Sequence, residues 1–175
     1  MISVLIPLLD DEPALLDTIA ALAPAVAEGV VRDLWLATPL TDGYAATVAD
    51  AAGCGLVEAA GTRVEMLARA SREARSPWSL VLEPGLVPTG GWMAEAAEFV
   101  SRAEDDRAAV FTLAPRGGRS RLIAALANWQ ASLLGRGRPE QGLIVSTARL
   151  VKRQAPPRAV RLASLVVDRR VRARA

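Results

Sequence analysis

Apolar positions in this chain fall into short runs separated by stretches at helical spacing, and the two kinds alternate from the first residue onward. Residues 1–8 are almost continuously apolar, the pattern of a strand covered on both faces of a parallel sheet. Asp10, Asp11, Glu12 and Pro13 then suit a helix start, and Leu15, Leu16, Ile19, Leu22 and Val26 recur at helical spacing until Gly29. The unit repeats: a strand over 33–37, a turn-rich loop over 38–43, a helix over 44–52 and a weaker strand over 55–58. A helix over 62–74 follows, with Val64, Leu67 and Ala70 or Ser71 facing inwards, and then a strong strand over 78–82. Further on, the pattern predicts a helix over 89–103, a strand over 108–113, a helix over 119–134 and a strand over 143–146. Alternation of this length predicts an α/β fold, a doubly wound, mostly parallel sheet with helices on both faces. Past Pro156 and Pro157 the pattern degrades, and the apolar run 162–167 reads equally as a last strand or an amphipathic segment. The expected organisation is one domain over 1–155 followed by a basic, arginine-rich segment over 156–175.

The chemistry open to the chain is narrow. With no histidine, Ser-His-Asp, Cys-His and histidine-metal arrangements are excluded, and the lone Cys54 cannot form an internal disulfide. Neither a glycine-rich dinucleotide fingerprint nor a Gly-Lys-Ser/Thr phosphate loop occurs. Catalysis would have to use carboxylates, arginine, Ser, Thr or Tyr. No apolar run approaches the 18 or so residues of a membrane span, and no basic stretch precedes the first strand, so the expected location is the cytoplasm. Residues 1–114 hold seven arginines and 17 acids, net −10, whereas 115–175 hold 14 Arg and Lys and two acids, net +12. Such a division suits mutual neutralisation of the two parts, or contact of the basic third with anionic lipid at the inner face of the membrane. Nucleic acid is the poorest candidate, because the arginine-rich end lacks interleaved aromatic residues for base stacking.

Ligands of doubly wound sheets bind beyond the carboxyl ends of the strands, which directs attention to the loops after Leu8, Ala37 and Leu82. Those loops carry a recognisable series of motifs. Val4-Leu5-Ile6-Pro7 runs into Asp11-Glu12; Leu40-Thr41-Asp42-Gly43 opens a helix; Gly61-Thr62-Arg63 begins another. Leu80-Val81-Leu82-Glu83-Pro84-Gly85 leads to Pro88-Thr89-Gly90-Gly91-Trp92, and Pro139-Glu140-Gln141-Gly142 precedes the strand at Leu143. In order and spacing the series, covering about residues 2–150, resembles the family 2 glycosyltransferases of the GT-A fold, in particular small bacterial members. The series departs from the family at several positions: Ala37 stands where the family has an Asp, Leu67 and Arg69 where it has Asn and Gly, and Leu82 and Pro84 where the metal motif has acids or their equivalents.

The resemblance implies transfer of a sugar from a nucleotide-sugar donor, with Pro7, Asp11, Glu12, Asp42, Arg63 and Glu83 on the donor side. It implies Trp92 on the acceptor side and Glu140 as the base that deprotonates the acceptor hydroxyl. Glu83 is the one acid left to ligate Mn2+ or Mg2+, and hard cations need several oxygen ligands, so weak metal binding is expected. Arg63, Arg116, Arg119, Arg121 or Arg138 could instead neutralise the diphosphate. Asp11 and Glu12 also read as a helix cap and first-turn acid, Glu140 as a solvated loop acid, and Trp78, Trp92 and Trp129 as packing residues. The alternative function is an inactive scaffold of this fold that binds a membrane surface or a protein through its basic third.

Overall fold

The computed structural model describes residues 1–10, 12–40, 43–115 and 119–170. Elements follow in the order β1 (Ile2–Pro7), α1 (Leu15–Ala27), β2 (Val31–Thr38), α2 (Tyr44–Ala52), β3 (Gly55–Glu58), α3 (Arg63–Ala70) and β4 (Trp78–Val81). Then come β5 (Leu86–Thr89), α4 (Trp92–Arg102), β6 (Ala108–Leu113), α5 (Arg119–Leu134), a 3-10 turn (Pro139–Gln141), β7 (Leu143–Ser146), α6 (Thr147–Val151) and β8 (Ala159–Asp168). The eight strands form one sheet in the order β3-β2-β1-β4-β7-β6-β8-β5. β1, β2, β3 and β4 are mutually parallel, as are β6 and β8, while β7 runs antiparallel to β4 and β6, and β5 antiparallel to β8.

The continuous apolar run of β1 has its explanation in two cores. Val4 and Ile6 face Leu15 and Leu22 of α1 on one side of the sheet. Leu5 faces Met66, Leu67 and Ala70 of α3 on the other, so no position of the strand meets water. The first core continues through Trp92, Phe111 and Ala124, the second through Val145, Leu150 and Ala159.

Several expectations are corrected. α1 starts at Leu15, with Ala14 as an uncapped N-cap, so Glu12 precedes the helix and does not cap it or sit in its first turn. Leu16 and Val26 point outward from α1, as Val64 does from α3, because Thr18 and Ala25, and Met66 and Ala68, take the inner positions. The helix expected from residue 89 begins at Trp92, since residues 86–89 form β5, a strand that exists through its pairing with β8. Of the two readings open for the run 162–167, the strand holds: β8 (Ala159–Asp168) lies between β6 and β5.

Candidate functional site

The parallel strands β1, β2 and β4 end together at Pro7, Thr38 and Val81, and the loops beyond them define the cleft. Leu8 and Leu82 each continue the ladder by one hydrogen bond, to the carbonyls of Ala37 (2.7 Å) and Leu5 (3.1 Å), so Glu83 leaves the sheet from a fixed position. Pro7 and Ala37 are buried in the floor.

Arg63 and Glu83 meet here. The Arg63 Nε donates to Glu83 Oε1 at 2.5 Å, with both side chains largely withdrawn from solvent. Arg63 is placed by the start of α3, where Thr62 and Glu65 cap each other: the Thr62 N–H donates to Glu65 Oε2 (2.8 Å) and the Glu65 N–H to Thr62 Oγ1 (3.4 Å). The backbone bond from Thr62, and then its hydroxyl, hold the Glu65 carboxyl below its ordinary range.

Glu140 reaches the same end of the sheet by another route. The buried Gln141 accepts from the Arg138 N–H (3.1 Å) and donates to the Phe111 carbonyl (3.1 Å), pinning the 3-10 turn that carries Glu140. Gly142 has φ 64°, and a Cβ there would stand 2.9 Å from Leu82 Cδ2, so only glycine lets the turn press against the end of β4.

Two further residues, Asp168 and Arg170, come from the end of β8. Arg170 donates to Asp168 in a fork, Nε to Oδ1 and Nη2 to Oδ2, each at 2.9 Å, and its backbone N–H adds a third bond to Oδ1. The Arg169 N–H meets the Gly85 carbonyl at 2.7 Å, which ties this corner to the loop after Glu83. The Arg170 pKa is raised, first by the Asp168 hydrogen bond, against desolvation, and further by the charges of Asp168, Glu140 and Glu83. Burial pushes the Glu12 carboxyl up; Arg170 opposes the shift, and Glu83, Asp10 and Asp168 reinforce it. Glu12, Glu83, Glu140 and Asp168 thus all act on Arg170, by charge or hydrogen bond, and Glu83 is also paired with Arg63. Nothing in the local pattern marked Asp168 or Arg170 as site residues; the signal available was the apolar run 162–167, which in the structure alternates between buried Leu162, Ser164 and Val166 and more exposed neighbours as part of β8.

Of the remaining expected site residues, Asp11, Asp42 and Arg116 lie outside the described residues, and Arg121 is exposed on α5. Trp92 is buried in the core, edge-on to Phe111 with centroids 6.3 Å apart, and Trp78 packs edge-on to Phe99, whereas Trp129 is exposed. Arg138 and Arg63 share the lining of a pocket of about 320 Å3 with Arg136, Leu143 and Pro157.

The described residues do not fit a divalent cation. Among them no three carboxylate, cysteine or histidine side chains converge on a common point. Glu83, the expected ligand, is held by Arg63, and Asp168 by Arg170.

The fold is similar to that of proteins of known structure. The full chain superposes on glucosyl-3-phosphoglycerate synthase from Mycobacterium tuberculosis, crystallised with Mn2+, uridine diphosphate and phosphoglyceric acid, with TM-score 0.65 and 16% identity over 72% of that protein. The same enzyme with Mn2+, UDP-glucose and phosphoglyceric acid gives TM-score 0.66, 16% identity and 73% of its length. The fold is GT-A. A mycobacterial protein also matches, at TM-score 0.65 and 16% identity, over 99% of this chain and 68% of that one. No family model and no curated protein sequence matches this chain. Among the described residues no helix is long and apolar enough to cross a membrane.

Proposed function

We propose that this protein transfers a sugar from a uridine diphosphate sugar to an acceptor hydroxyl in the cleft between β1, β4 and the Glu140 turn. The observation that carries the reading is the grouping of Arg63, Glu83 and Glu140 at the strand ends of a GT-A sheet. The donor base would lie over Pro7 and Ala37, against the ends of β1 and β2, with the diphosphate directed towards Arg63 and Arg170. Guanidinium groups match phosphate oxygens in a bidentate manner, so each arginine would exchange a carboxylate partner for the diphosphate. Glu140 would take the acceptor proton as the hydroxyl oxygen bonds to the anomeric carbon. The bond from that carbon to the diphosphate oxygen breaks with its electron pair on the leaving nucleotide, and the configuration inverts. Mn2+ and Mg2+ accompany UDP in structures of the mycobacterial synthase, whereas the described residues of this chain form no cluster of carboxylates to hold either ion.

Thermal denaturation with UDP-, GDP-, dTDP- and CDP-sugars, each with Mn2+ and with a chelator, tests the reading. A donor at one hundred times its dissociation constant should stabilise the fold by about 2.7 kcal/mol. Arg63→Gln should weaken that donor about 10- to 100-fold, the worth of a hydrogen bond to a charged group. A flat response to every nucleotide sugar would discard the enzyme reading.

A further inference from the structure

α5 is apolar on two opposite faces. Its inner face is made of small residues, Ala124, Ala127 and Ala131, packed on the sheet. Its outer face carries Leu122, Leu126, Trp129 and Leu133 at i, i+4, i+7 and i+11, one stripe directed away from the core, with relative exposures of 75, 47, 55 and 55%. A helix that is apolar on both sides needs a second partner, and a stripe of four large residues is not the scattered exposure ordinary on a soluble surface.

The surroundings of the stripe are cationic. No Asp or Glu occurs between Arg107 and Pro139. Arg121 projects from the helix itself; Arg158 Nη2 donates to the Leu133 carbonyl (3.2 Å) and Arg161 Nε to Ser132 Oγ (2.7 Å), fixing two exposed arginines of the β8 side along the helix. At the C-terminal end of the stripe lies a recess of about 400 Å3 whose lining includes Leu133, Leu134, Arg136, Pro156, Pro157 and Arg158, without an acid. The recess depends on Gly135: its φ is 61°, and a Cβ there would stand 2.0 Å from Arg158 Cγ, blocking the arginine from the helix end.

We infer that the outer face of α5, with the arginines at its edge, seats this domain on an anionic lipid bilayer. The stripe enters the acyl boundary, and the recess takes a lipid phosphate between Arg136 and Arg158. Amphipathic helices that lie in the interface combine Leu and Trp on one side with basic residues flanking it, as here. A second copy is the poorer occupant, because a two-fold dimer sets a patch against itself and would bring arginine against arginine around the stripe. A nucleic acid would gain little from a stripe of three leucines and one tryptophan.

Co-sedimentation of the full chain with vesicles of phosphatidylcholine, and of phosphatidylcholine mixed with phosphatidylglycerol, decides the matter. The protein should pellet with the anionic vesicles, not with the neutral ones, and be released as NaCl is raised. Leu126→Asp, at an exposed site that leaves the core intact, should weaken partition about tenfold, and each of Arg136→Gln and Arg158→Gln about fivefold. A circular dichroism melt of each variant confirms the fold. Failure to pellet with anionic vesicles at low salt, or pelleting that all three variants retain, would overturn the inference. So would a dimer in sedimentation equilibrium that Leu126→Asp converts to a monomer.

Discussion

In the half of the sheet made by β3, β2, β1 and β4, the four strands are parallel to one another and each reaches the next through a helix. In the half made by β7, β6, β8 and β5, two of the three pairings are antiparallel, and β5 is paired with residues 165–168, far along the chain. The first half is assembled from local units, each of which announces itself by its own periodicity. The second is held by partners that no local window contains. Charge divides elsewhere, acidic before residue 115 and basic after it, so the second half mixes an acidic segment carrying β5 and β6 with the basic one carrying β7 and β8; acid meets base where Glu12 and Glu83 face Arg170.

The largest effect should come from charging the strand that closes the second half. Val166 is fully buried and pairs with Leu113 on one side and Pro88 on the other, so Val166→Asp should cost more than about 4 kcal/mol. Urea denaturation should show the cooperative transition lost, and a wild-type midpoint would break the comparison by making β8 dispensable.

A smaller effect is expected at Glu95, which fastens α4 to β8 by accepting from the Ala163 N–H (2.6 Å), the Ser164 N–H (2.8 Å) and the Ser164 hydroxyl. Burial would raise its pKa, but these three bonds outweigh it and leave the carboxyl below its ordinary range. Its contribution is therefore present above the unfolded Glu pKa and lost as pH falls through the lower folded value. Glu95→Gln should cost about 1.5–3 kcal/mol at neutral pH, with the gap to wild type closing on acidification. A gap that stays constant from neutral to acidic pH would show that the charge plays no part.

The smallest effect belongs to the junction of the two halves. Burial raises the Glu12 pKa, so the stability it gives is full below the unfolded pKa and is lost as pH rises through the folded one. Glu12→Gln should then be the more stable protein at neutral pH, by less than about 1 kcal/mol because solvent screens the group, and equal to wild type in acid. The opposite order in pH-dependent melts would mean that the attraction to Arg170 exceeds the cost of burial.

Legibility crosses that boundary, since β6, α5 and β7 of the second half were as readable as the strands of the first. The strands at 2–7, 55–58 and 78–81 and the helix at Tyr44–Ala52 could be read because an apolar run or a helical repeat is a property of adjacent residues. β5 could not: four residues containing Pro88, bounded by Gly85 and Gly90, look like a turn until β8 is set beside them. In the candidate site, the places of Arg63 at a helix start and of Glu83 at a strand end were legible from the loops that carry them, and their ion pair was not, since it joins α3 to the end of β4. Asp168 and Arg170 were hidden because the run before them reads equally as a strand or an amphipathic segment until partners some 50 to 80 residues earlier are set beside it.

The insertion of β8 between β6 and β5 also sets a timetable. During synthesis the units through β4 can collapse as they emerge, but β5 must wait with its edge unpaired until residues 165–168 have left the ribosome. For that interval the nascent chain carries an open sheet edge beside apolar surface, and its passage through that state sets how much chaperone attention it draws.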